Sequence, residues 1–240
     1  MYEAVHAHPD GEATVARHAA TAARYGYDGI VVRTRDALPP AGEGGEPPDE
    51  AAALREEYGV DVVDAVEVDA DDPTSASGAV GNYRSERTVV CLVGGDDALN
   101  RFAVEEPRVD VLARPMAGGD INHVLAKAAR DNGVHVEFDF GPVLRATGGE
   151  RVRALADLRK LREVVGHYDA PYVVSANPRS HLGLRAPREL VAVGEAVGFD
   201  AEAVREGLRA WSEIADRNRE RRSEEFIEPG VRLGRYEEDG

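Results

Sequence analysis

Among its 240 residues, 42% are hydrophobic, so the chain can bury the core of one large domain or two small ones. It contains no run of about eighteen apolar residues, no basic and apolar leader after Met1 and one cysteine, Cys91, which predicts a cytoplasmic protein without a membrane segment or an internal disulfide. The net charge of −16 argues against a nucleic-acid partner at ordinary salt concentrations, because phosphate contacts need cations.

Short apolar strands alternate with helical patterns along most of the chain. The predicted strands are Tyr2–Ala7, Gly29–Arg33, Val60–Val68, Arg87–Val93, Val109–Leu112, Val134–Phe140 and Pro171–Ser175. The predicted helices are Glu12–Tyr25, Glu50–Tyr58, Asp96–Glu105, Asp120–Asn132, Glu150–His167 and Arg188–Val197, followed by a helical pattern from Asp200 to Arg222. This alternation is typical of βα units around a parallel sheet, and the length favours an α/β fold of one TIM-barrel-like (β/α) barrel over residues 1–222.

The number of strands leaves the closure of this barrel open. Seven strands are visible, and an eighth could only be very short, around Gly198–Phe199. Two segments lack regular patterns. Leu38–Asp49 is rich in Pro, Gly and Glu, which predicts a surface loop, and residues 223–240 form an acidic tail whose composition predicts disorder.

Local signals mark helix ends and buried anchors. Asp120 and Gly133 flank a helical pattern and are predicted to be its N-cap and C-cap. Asp200 is the predicted N-cap of the last helix, in which Trp211 and Ile214 are predicted to be buried.

The clearest chemical signal follows the last predicted strand. Tyr172, Val173 and Val174 suit a buried strand, which would deliver the polar side chains of the next loop together at its C-terminal end. These side chains are Ser175, Asn177, Arg179, Ser180, His181 and Arg185. Hydroxyl, amide and guanidinium groups make a phosphate-binding surface, and Pro187 fits the first position of the helix that follows. An ordinary βα loop would have the same composition, so both interpretations stay open.

The basic residues are concentrated in the second half of the chain. Residues 148–222 carry 14 basic and 12 acidic side chains, whereas residues 1–147 carry 13 and 27. Only Lys127 and Lys160 are lysines, and abundant Asp and Glu with almost no Lys resembles the composition of proteins from salt-loving archaea. At 1 M salt the Debye length is about 3 Å, so net charge no longer argues against RNA there. We expect most arginines of the basic segment to form ion pairs between helices.

A second signal lies at the end of the first predicted strand. His6 and His8 alternate, so a strand would point both imidazoles to one face, where Glu67 and Glu137 from other strands could join them around a divalent metal. This spacing resembles the first motif of the polymerase and histidinol phosphatase superfamily of metal-dependent phosphoesterases, which implies a related fold. That superfamily also has a terminal Asp-x-His motif and further strand-end histidines, which this sequence lacks. His6 and His8 are therefore weak metal candidates.

An ordered series of segments carries another resemblance. The segments are Asp110-Val-Leu-Ala-Arg-Pro, Asn122-His-Val-Leu-Ala-Lys-Ala-Ala-Arg, Val134-His-Val-Glu-Phe, Arg151-Val-Arg-Ala-Leu, Val173-Val-Ser-Ala-Asn, and Leu184-Arg-Ala-Pro with Val197-Gly-Phe. In this order and spacing the chain resembles the barrel-type protein subunit family of archaeal and eukaryal ribonuclease P. His6, His8 and the acidic loop near Glu43 depart from the family pattern.

That resemblance implies a part in tRNA maturation. It implies removal of the 5′ leader from precursor tRNA by a ribonucleoprotein endonuclease whose RNA component is catalytic, with magnesium on that RNA and no cofactor or catalytic residue on this chain. The implied partners are the ribonuclease P RNA, precursor tRNA and other protein subunits. One of these is a small protein that helix positions near Leu155 and Leu158 could contact.

Within such a complex, the basic side chains are the candidate phosphate clamps. We expect RNA to be bound by Arg151, Arg153, Arg179, Ser180 and Arg185, with Ser175 and Asn177 orienting the loop. Arg151 and Arg153 stand two positions apart on a predicted helix and cannot share a face, so one of them is expected to touch RNA.

Three functional hypotheses stay open on the sequence alone. The chain is an RNA-associated subunit without catalytic residues, a stand-alone metal-dependent phosphoesterase that uses His6, or a barrel that only scaffolds other proteins.

Overall fold

Seven parallel strands form a nearly closed barrel in the part of the chain that the structure describes. The structure is a computed structural model and describes residues 1–40, 42, 47–223, 226–228 and 231–232. The strands are β1 (Tyr2–Val5), β2 (Gly29–Val32), β3 (Asp61–Val68), β4 (Val89–Val93), β5 (Val111–Ala113), β6 (His135–Asp139) and β7 (Tyr172–Ser175). Each strand pairs in parallel with the next one in the sequence, for example Val31 of β2 beside Val63 of β3. The predicted α/β, TIM-barrel-like fold is confirmed.

Helices cover the outside of the barrel. They are α1 (Val15–Tyr25), α2 (Asp49–Tyr58), α3 (Pro73–Arg84), α4 (Asp97–Glu105), α5 (His123–Asn132), α6 (Gly141–Arg145), α7 (Gly148–His167), α8 (Pro187–Val197) and α9 (Ala201–Arg222). The sequence analysis missed α3 and α6. The Ser and Gly content of α3 lowers its helix propensity, but its start was readable, since Asp72 caps it by accepting from the N–H of Thr74 at 2.7 Å and Pro73 occupies the first position.

The ends of α5 correct one prediction and confirm another. Asp120 is not the N-cap, because the helix begins later and Asn122 caps it. The Asn122 side chain accepts from the N–H groups of Val124 at 2.9 Å and Leu125 at 3.1 Å. Gly133 is the C-cap, with the left-handed φ of 68° that favours glycine.

The last helix, α9, closes the N-terminal end of the barrel. Arg219 of α9 pairs with Asp61 at the start of β3, with 2.8 Å between Nη1 and Oδ2. Asn218 donates to the carboxylate of Asp110, just before β5, at 2.8 Å. Because α9 crosses the N-termini of the strands, the C-terminal ends and the loops that follow them, here called the mouth, form the accessible end.

Trp211 of α9 fills the interior of the barrel. Its indole is fully buried and donates from Nε1 to the carbonyl of Val174 at 3.0 Å. Small inward-facing residues make room for it: Ala4, Val31, Val63, Ala65, Val89, Cys91, Val111 and Val173. The predictions of Trp211 and Ile214 as buried anchors and of Asp200 as the N-cap of this helix are confirmed.

A helix end stands where the sequence left room for a short eighth strand. Gly198 is the C-cap of α8 with a left-handed φ of 109°, and Phe199 packs edge-on against Phe138 with ring centroids 4.9 Å apart. β1 and β7 instead meet at a seam bridged by side chains, where Ser175 Oγ donates to the Glu3 carboxylate at 2.7 Å. The suggestion of a strand at Gly198–Phe199 is therefore wrong.

Glu3 at this seam makes the stability of the fold depend on pH. Burial raises the pKa of its carboxyl from 4.5 to about 7, despite hydrogen bonds from Ser175 and Ala176. An acid whose pKa is raised by folding binds its proton more tightly in the folded state. The contribution of Glu3 to the free energy of unfolding therefore falls as the pH rises from the pKa of the unfolded state to that of the folded state. The total decrease is on the order of 3 kcal/mol.

We expect Glu3→Gln, which cannot titrate, to remove this decline. Urea unfolding at constant salt, from about pH 4.5 to about pH 8, should give a wild-type free energy of unfolding that falls relative to the variant as the pH rises. A difference between the two proteins that stays the same at every pH would contradict the assignment.

Two segments considered in the sequence lie partly outside the described residues. In the predicted loop Leu38–Asp49 these are residues 41 and 43–46, which include the acidic position Glu43. In the acidic tail the structure describes two short antiparallel strands, β8 (Phe226–Glu228) and β9 (Val231–Arg232), and the other residues after 223 lie outside it. None of the helices in the described part has the length and apolarity that a membrane span requires.

Candidate functional site

The loop after β7 is anchored at the mouth of the barrel from beneath. Ser175 is fully buried, and its Oγ accepts from the N–H of Asn177 at 2.8 Å. Asn177 takes a left-handed φ of 48° and donates from Nδ2 to Asp139 at 3.2 Å. The carbonyl of Arg179 accepts from the N–H of Glu12 at 2.6 Å. Ser175 and Asn177 are therefore placed to orient the loop, and their side chains do not face solvent.

The side chains of the other polar residues of this loop differ in their exposure and in their hydrogen-bond partners. Arg179 is exposed, and its guanidinium makes no hydrogen bond or ion pair with the described residues. Ser180 Oγ accepts from the N–H of Leu182 at 3.4 Å and so caps the 3-10 turn His181–Gly183. Arg185 is half-buried and donates from Nη1 to the carbonyl of Leu182 at 3.2 Å. Arg179 is thus the most available of the clamps expected in this loop.

Arg151 and Arg153 lie in the first turns of α7, at the same end of the barrel. α7 follows β6, so its N-terminus lies at the mouth. Both side chains are exposed, and neither forms an ion pair with a residue in the described ranges. Arg153 lines a cavity at the mouth that does not include Arg151, which agrees with the expectation that the two point in different directions.

Four of the thirteen arginines of the basic segment are paired with carboxylates within the described residues, so the expectation that most of them form ion pairs between helices is wrong. The pairs are Arg205 and Arg209 with Glu202, Arg217 with Asp110, and Arg219 with Asp61. A guanidinium without such a partner keeps its donors and its charge available for phosphate. Arg151, Arg153 and Arg179 at the mouth therefore differ from these four arginines of α9 in a way that matters for anion binding.

The structure adds Arg188 to this group, which the sequence analysis did not select. Arg188 is exposed in the first turn of α8, next to Pro187, which occupies the first helical position as predicted. Its side chain makes no ion pair within the described part of the chain. The sequence could have indicated Arg188, because it follows the basic loop directly and the helix after a barrel strand begins at the mouth.

A buried ion cluster lies below the mouth, inside the barrel. Arg33 is fully buried and donates from Nη1 to Glu67 at 3.0 Å and from Nη2 to Glu137. Arg114 donates to both carboxylates, from Nη2 to Glu67 at 2.6 Å and from its backbone N–H to Glu137 at 3.2 Å. Burial opposes the charge of Arg33, yet the negative groups around it, Glu137 first among them, together outweigh burial and hold the pKa of Arg33 above its usual range. Burial also lowers the pKa of His6, 3.8 Å from Glu67, to about 4.

These residues do not fit a divalent metal. The structure brings His6, Glu67 and Glu137 together, as the sequence left open, but the guanidinium of Arg33 lies between the two carboxylates. His8 is exposed, whereas His6 is buried. Among the described residues, no group of three or more His, Cys, Asp or Glu side chains could hold a metal ion. A buried cation from the chain itself thus neutralises the carboxylates that a metal would need.

Comparison with known proteins finds the same family in every sequence match described here. The model of the family described as RNase P subunit p30 matches residues 1–223. The chain is 83% identical over 240 residues to ribonuclease P protein component 3 of Halorubrum lacusprofundi, with 100% of both chains covered. It is 64% identical to the protein of the same name from Haloarcula marismortui, covering 97% of each. The protein of that name from Methanococcoides burtonii is 32% identical over 95% of this chain and 91% of the relative.

Solved structures show the same fold at low sequence identity. A chain in a cryo-EM structure of archaeal ribonuclease P with mature tRNA has a TM-score of 0.80 at 20% identity, with 100% of both chains covered. Histidinol phosphate phosphatase from Lactococcus lactis, complexed with zinc, L-histidinol and phosphate, has a TM-score of 0.56 at 11% identity. That likeness covers 82% of this chain and 94% of the phosphatase. The barrel is therefore shared with phosphatases, although the ion cluster around Arg33 does not fit a metal.

Proposed function

The chain belongs to the RNase P subunit p30 family and is a protein subunit of ribonuclease P, and we propose that it binds RNA phosphates there through exposed arginines at the mouth of its barrel. Ribonuclease P is the ribonucleoprotein endonuclease that removes the 5′ leader from precursor tRNA, and its RNA component is catalytic. The partners of the chain are therefore the ribonuclease P RNA, precursor tRNA and the other protein subunits.

The observation that carries the proposal is that three exposed arginines without ion pairs gather at the mouth of an acidic protein. Arg151, Arg153 and Arg179 are exposed and form no ion pair within the described residues, whereas arginines of α9 are held by carboxylates. At high salt, long-range repulsion between an acidic protein and RNA is screened, and close guanidinium–phosphate contacts decide binding. Arg185 and Ser180 would contribute secondary contacts, and Ser175 and Asn177 would hold the loop in place.

The same proposal says which component holds the catalytic magnesium and where in the cell the chain is located. The catalytic magnesium would be held by the RNA, and the chain would bring no metal or other cofactor of its own. The Arg33 cation between Glu67 and Glu137 supports this, because it supplies internally the positive charge that a metal would bring. We propose a cytoplasmic location, since precursor tRNA is made and processed there in cells without a nucleus.

The two competing hypotheses are less well supported. A stand-alone phosphoesterase would need a metal at His6, where the structure places Arg33 beside the carboxylates instead. If the barrel only scaffolded other proteins, the exposed arginines without ion pairs at the mouth would have no function. On helix α7, Leu158 is buried and Leu155 is half-buried, so Val152, which is 67% exposed, is the one large apolar side chain that this helix fully presents to a protein partner.

Replacing one phosphate clamp should weaken RNA binding in a salt-dependent way. In cleavage of precursor tRNA reconstituted from the RNA and all protein subunits, we expect Arg179→Ala and Arg153→Ala each to raise the concentration of this chain needed for half-maximal cleavage by roughly tenfold. The slope of log affinity against log salt should become shallower by about 0.7 to 0.9 for each phosphate that is no longer neutralised.

The matched control is Arg24→Ala. Arg24 is exposed at the C-terminus of α1, so it lies at the opposite end of the barrel, and we expect its removal to leave both quantities unchanged. The proposal fails if the variants at the mouth behave like the Arg24 variant while the partner proteins still assemble with the chain. In that case the scaffold hypothesis would hold.

A further inference from the structure

A cavity opens at the mouth between the segment after β5 and helices α6 and α7. Its volume is about 270 Å³, just below the range of roughly 300 to 1,000 Å³ that is typical of sites for drug-sized ligands. Its walls are mainly apolar and come from Pro115, Met116, Pro142, Ala154 and Leu158. A cavity of this size and lining suits a flat ring system better than a whole nucleotide.

The floor of the cavity is polar and rich in acceptors. Glu137 is buried there, and Asp139 uses one carboxylate oxygen to accept from the N–H of Gly141 at 2.7 Å and the other to accept from Asn177 at 3.2 Å. Each carboxylate oxygen can accept a second hydrogen bond, so the floor can still receive N–H donors. Glu150 and Asp157 also line the cavity, and the four carboxylates together would repel a phosphate, so the cavity selects an uncharged group.

A cation at the floor supplies the complementary donor. Arg114 is 31% exposed, lines the cavity and binds Glu67 through Nη2, which leaves Nη1 free to donate. Its Nε is buried without a hydrogen-bond partner in the described part of the chain. The guanidinium of Arg114 and the carboxylates of Glu137 and Asp139 therefore line the same cavity beneath apolar walls.

We propose that this cavity binds an unstacked guanine base, with the carboxylate of Asp139 accepting from the Watson–Crick edge and the guanidinium of Arg114 donating to the carbonyl oxygen. Guanine has two adjacent N–H donors next to one acceptor oxygen, and these are complementary to a carboxylate and a guanidinium that line the same cavity. Adenine, cytosine and uracil do not present two neighbouring donors on that edge. Sequence-specific recognition of RNA usually targets unstacked bases, whose Watson–Crick edges are hydrogen-bonded by protein groups.

The cavity lies next to the arginines that are proposed to bind phosphates. Arg153 stands at its rim, and Asn177 links Asp139 at the floor to the loop that carries Arg179. A nucleotide whose base entered the cavity would therefore have its phosphates next to exposed cations. The inference rests on the proposed function where the base belongs to RNA, and on the cavity alone where it belongs to a free nucleotide.

The first experimental arm uses photo-crosslinking in the assembled enzyme. Ribonuclease P is reconstituted with its RNA carrying 6-thioguanosine or, separately, 4-thiouridine, irradiated, and digested for mass spectrometry. We expect 6-thioguanosine to crosslink to the peptide that contains Met116 or to residues 142–158, and 4-thiouridine to give at least tenfold less product there. Asp139→Asn, which turns an acceptor into a donor, and Ala154→Leu, which fills the cavity, should each lower the yield at least tenfold. Asp131→Asn, the same change on the exposed face of α5, is the control.

The second arm distinguishes a base in RNA from a free nucleotide. Guanosine and adenosine monophosphates are titrated against the isolated full chain by NMR. Binding of the guanosine nucleotide at least tenfold tighter than the adenosine nucleotide, without crosslinking in the first arm, assigns the cavity to a free guanine nucleotide. The inference is overturned if neither arm shows a preference for guanine, or if Asp139→Asn and Ala154→Leu both behave like Asp131→Asn. Loss of cleavage in the Arg179 variant alongside that outcome would leave the proposed function intact.

Discussion

Replacing Arg33 with methionine is expected to destabilise the fold by about 3 to 5 kcal/mol near pH 8. The change removes the cation that separates two carboxylates, and it leaves Glu137 fully buried with a charge that is no longer balanced. The loss should be smaller at pH 5 than at pH 8, because burial raises the pKa of Glu137 and a lower pH favours its uncharged, protonated form. Urea unfolding followed by far-UV circular dichroism measures the free energy at both pH values.

A double variant provides the control for this prediction. Glu137→Gln removes the charge that Arg33→Met would leave unpaired, so the double variant should be more stable than the sum of the two single effects predicts, by about 1 to 3 kcal/mol. Additive effects, or a loss below about 1 kcal/mol for Arg33→Met alone, would show that the buried cluster does not hold the barrel together.

Trp211→Ala should cost a similar amount, about 3 to 5 kcal/mol, through a different mechanism. The indole is fully buried among small side chains of the barrel interior, so its removal leaves a large cavity that Ala4, Val31 and their neighbours cannot fill. It also leaves the carbonyl of Val174 without its donor and removes the ring that lies 4.9 Å from the guanidinium of Arg33.

Two further variants test this assignment. Trp211→Phe keeps an aromatic ring but loses the N–H donor, so we expect an intermediate loss of about 1 to 3 kcal/mol. Leu182→Ala removes a large apolar side chain that is 78% exposed and should change stability by less than about 0.5 kcal/mol. Because Trp211 is the one tryptophan of the chain, unfolding is followed by circular dichroism and not by fluorescence. Equal losses for Trp211→Ala and Leu182→Ala would refute a central role of α9 in the interior.

Strand and helix positions were readable because their signals are local. Apolar runs gave the strands of the barrel, and the caps at Gly133 and Asp200 depend on side chains and backbone within a few residues of each other. α3 was missed because its Ser and Gly residues weaken the helical pattern, although Asp72 and Pro73 marked its start. Asp120 was chosen over Asn122 because both are good caps and the pattern alone does not say where the first turn begins.

Part of the candidate site was readable for a related reason. Parallel strands bring their C-terminal ends to one edge, so the loop with Arg179 and the start of α7 with Arg153 could be expected at the same end of the barrel. Which of these polar residues would be exposed was not readable. Arg179 faces solvent, whereas Ser175 and Asn177 are buried by contacts with Glu3 and Asp139 from distant strands.

The sequence by itself determined the seven strands in their order, most of the helices and the end of the barrel where the candidate phosphate clamps lie, because each depends on neighbouring residues or on strand direction. The ordered series of short segments determined the family. Only the tertiary structure decided that α9 fills the interior and that Arg33 is an internal cation. Its partners Glu67 and Glu137 stand 34 and 104 positions away. These pairs form only when the sheet closes into a barrel, because the three side chains then lie close together in its interior. A buried charge there is costly unless an opposite charge pairs with it.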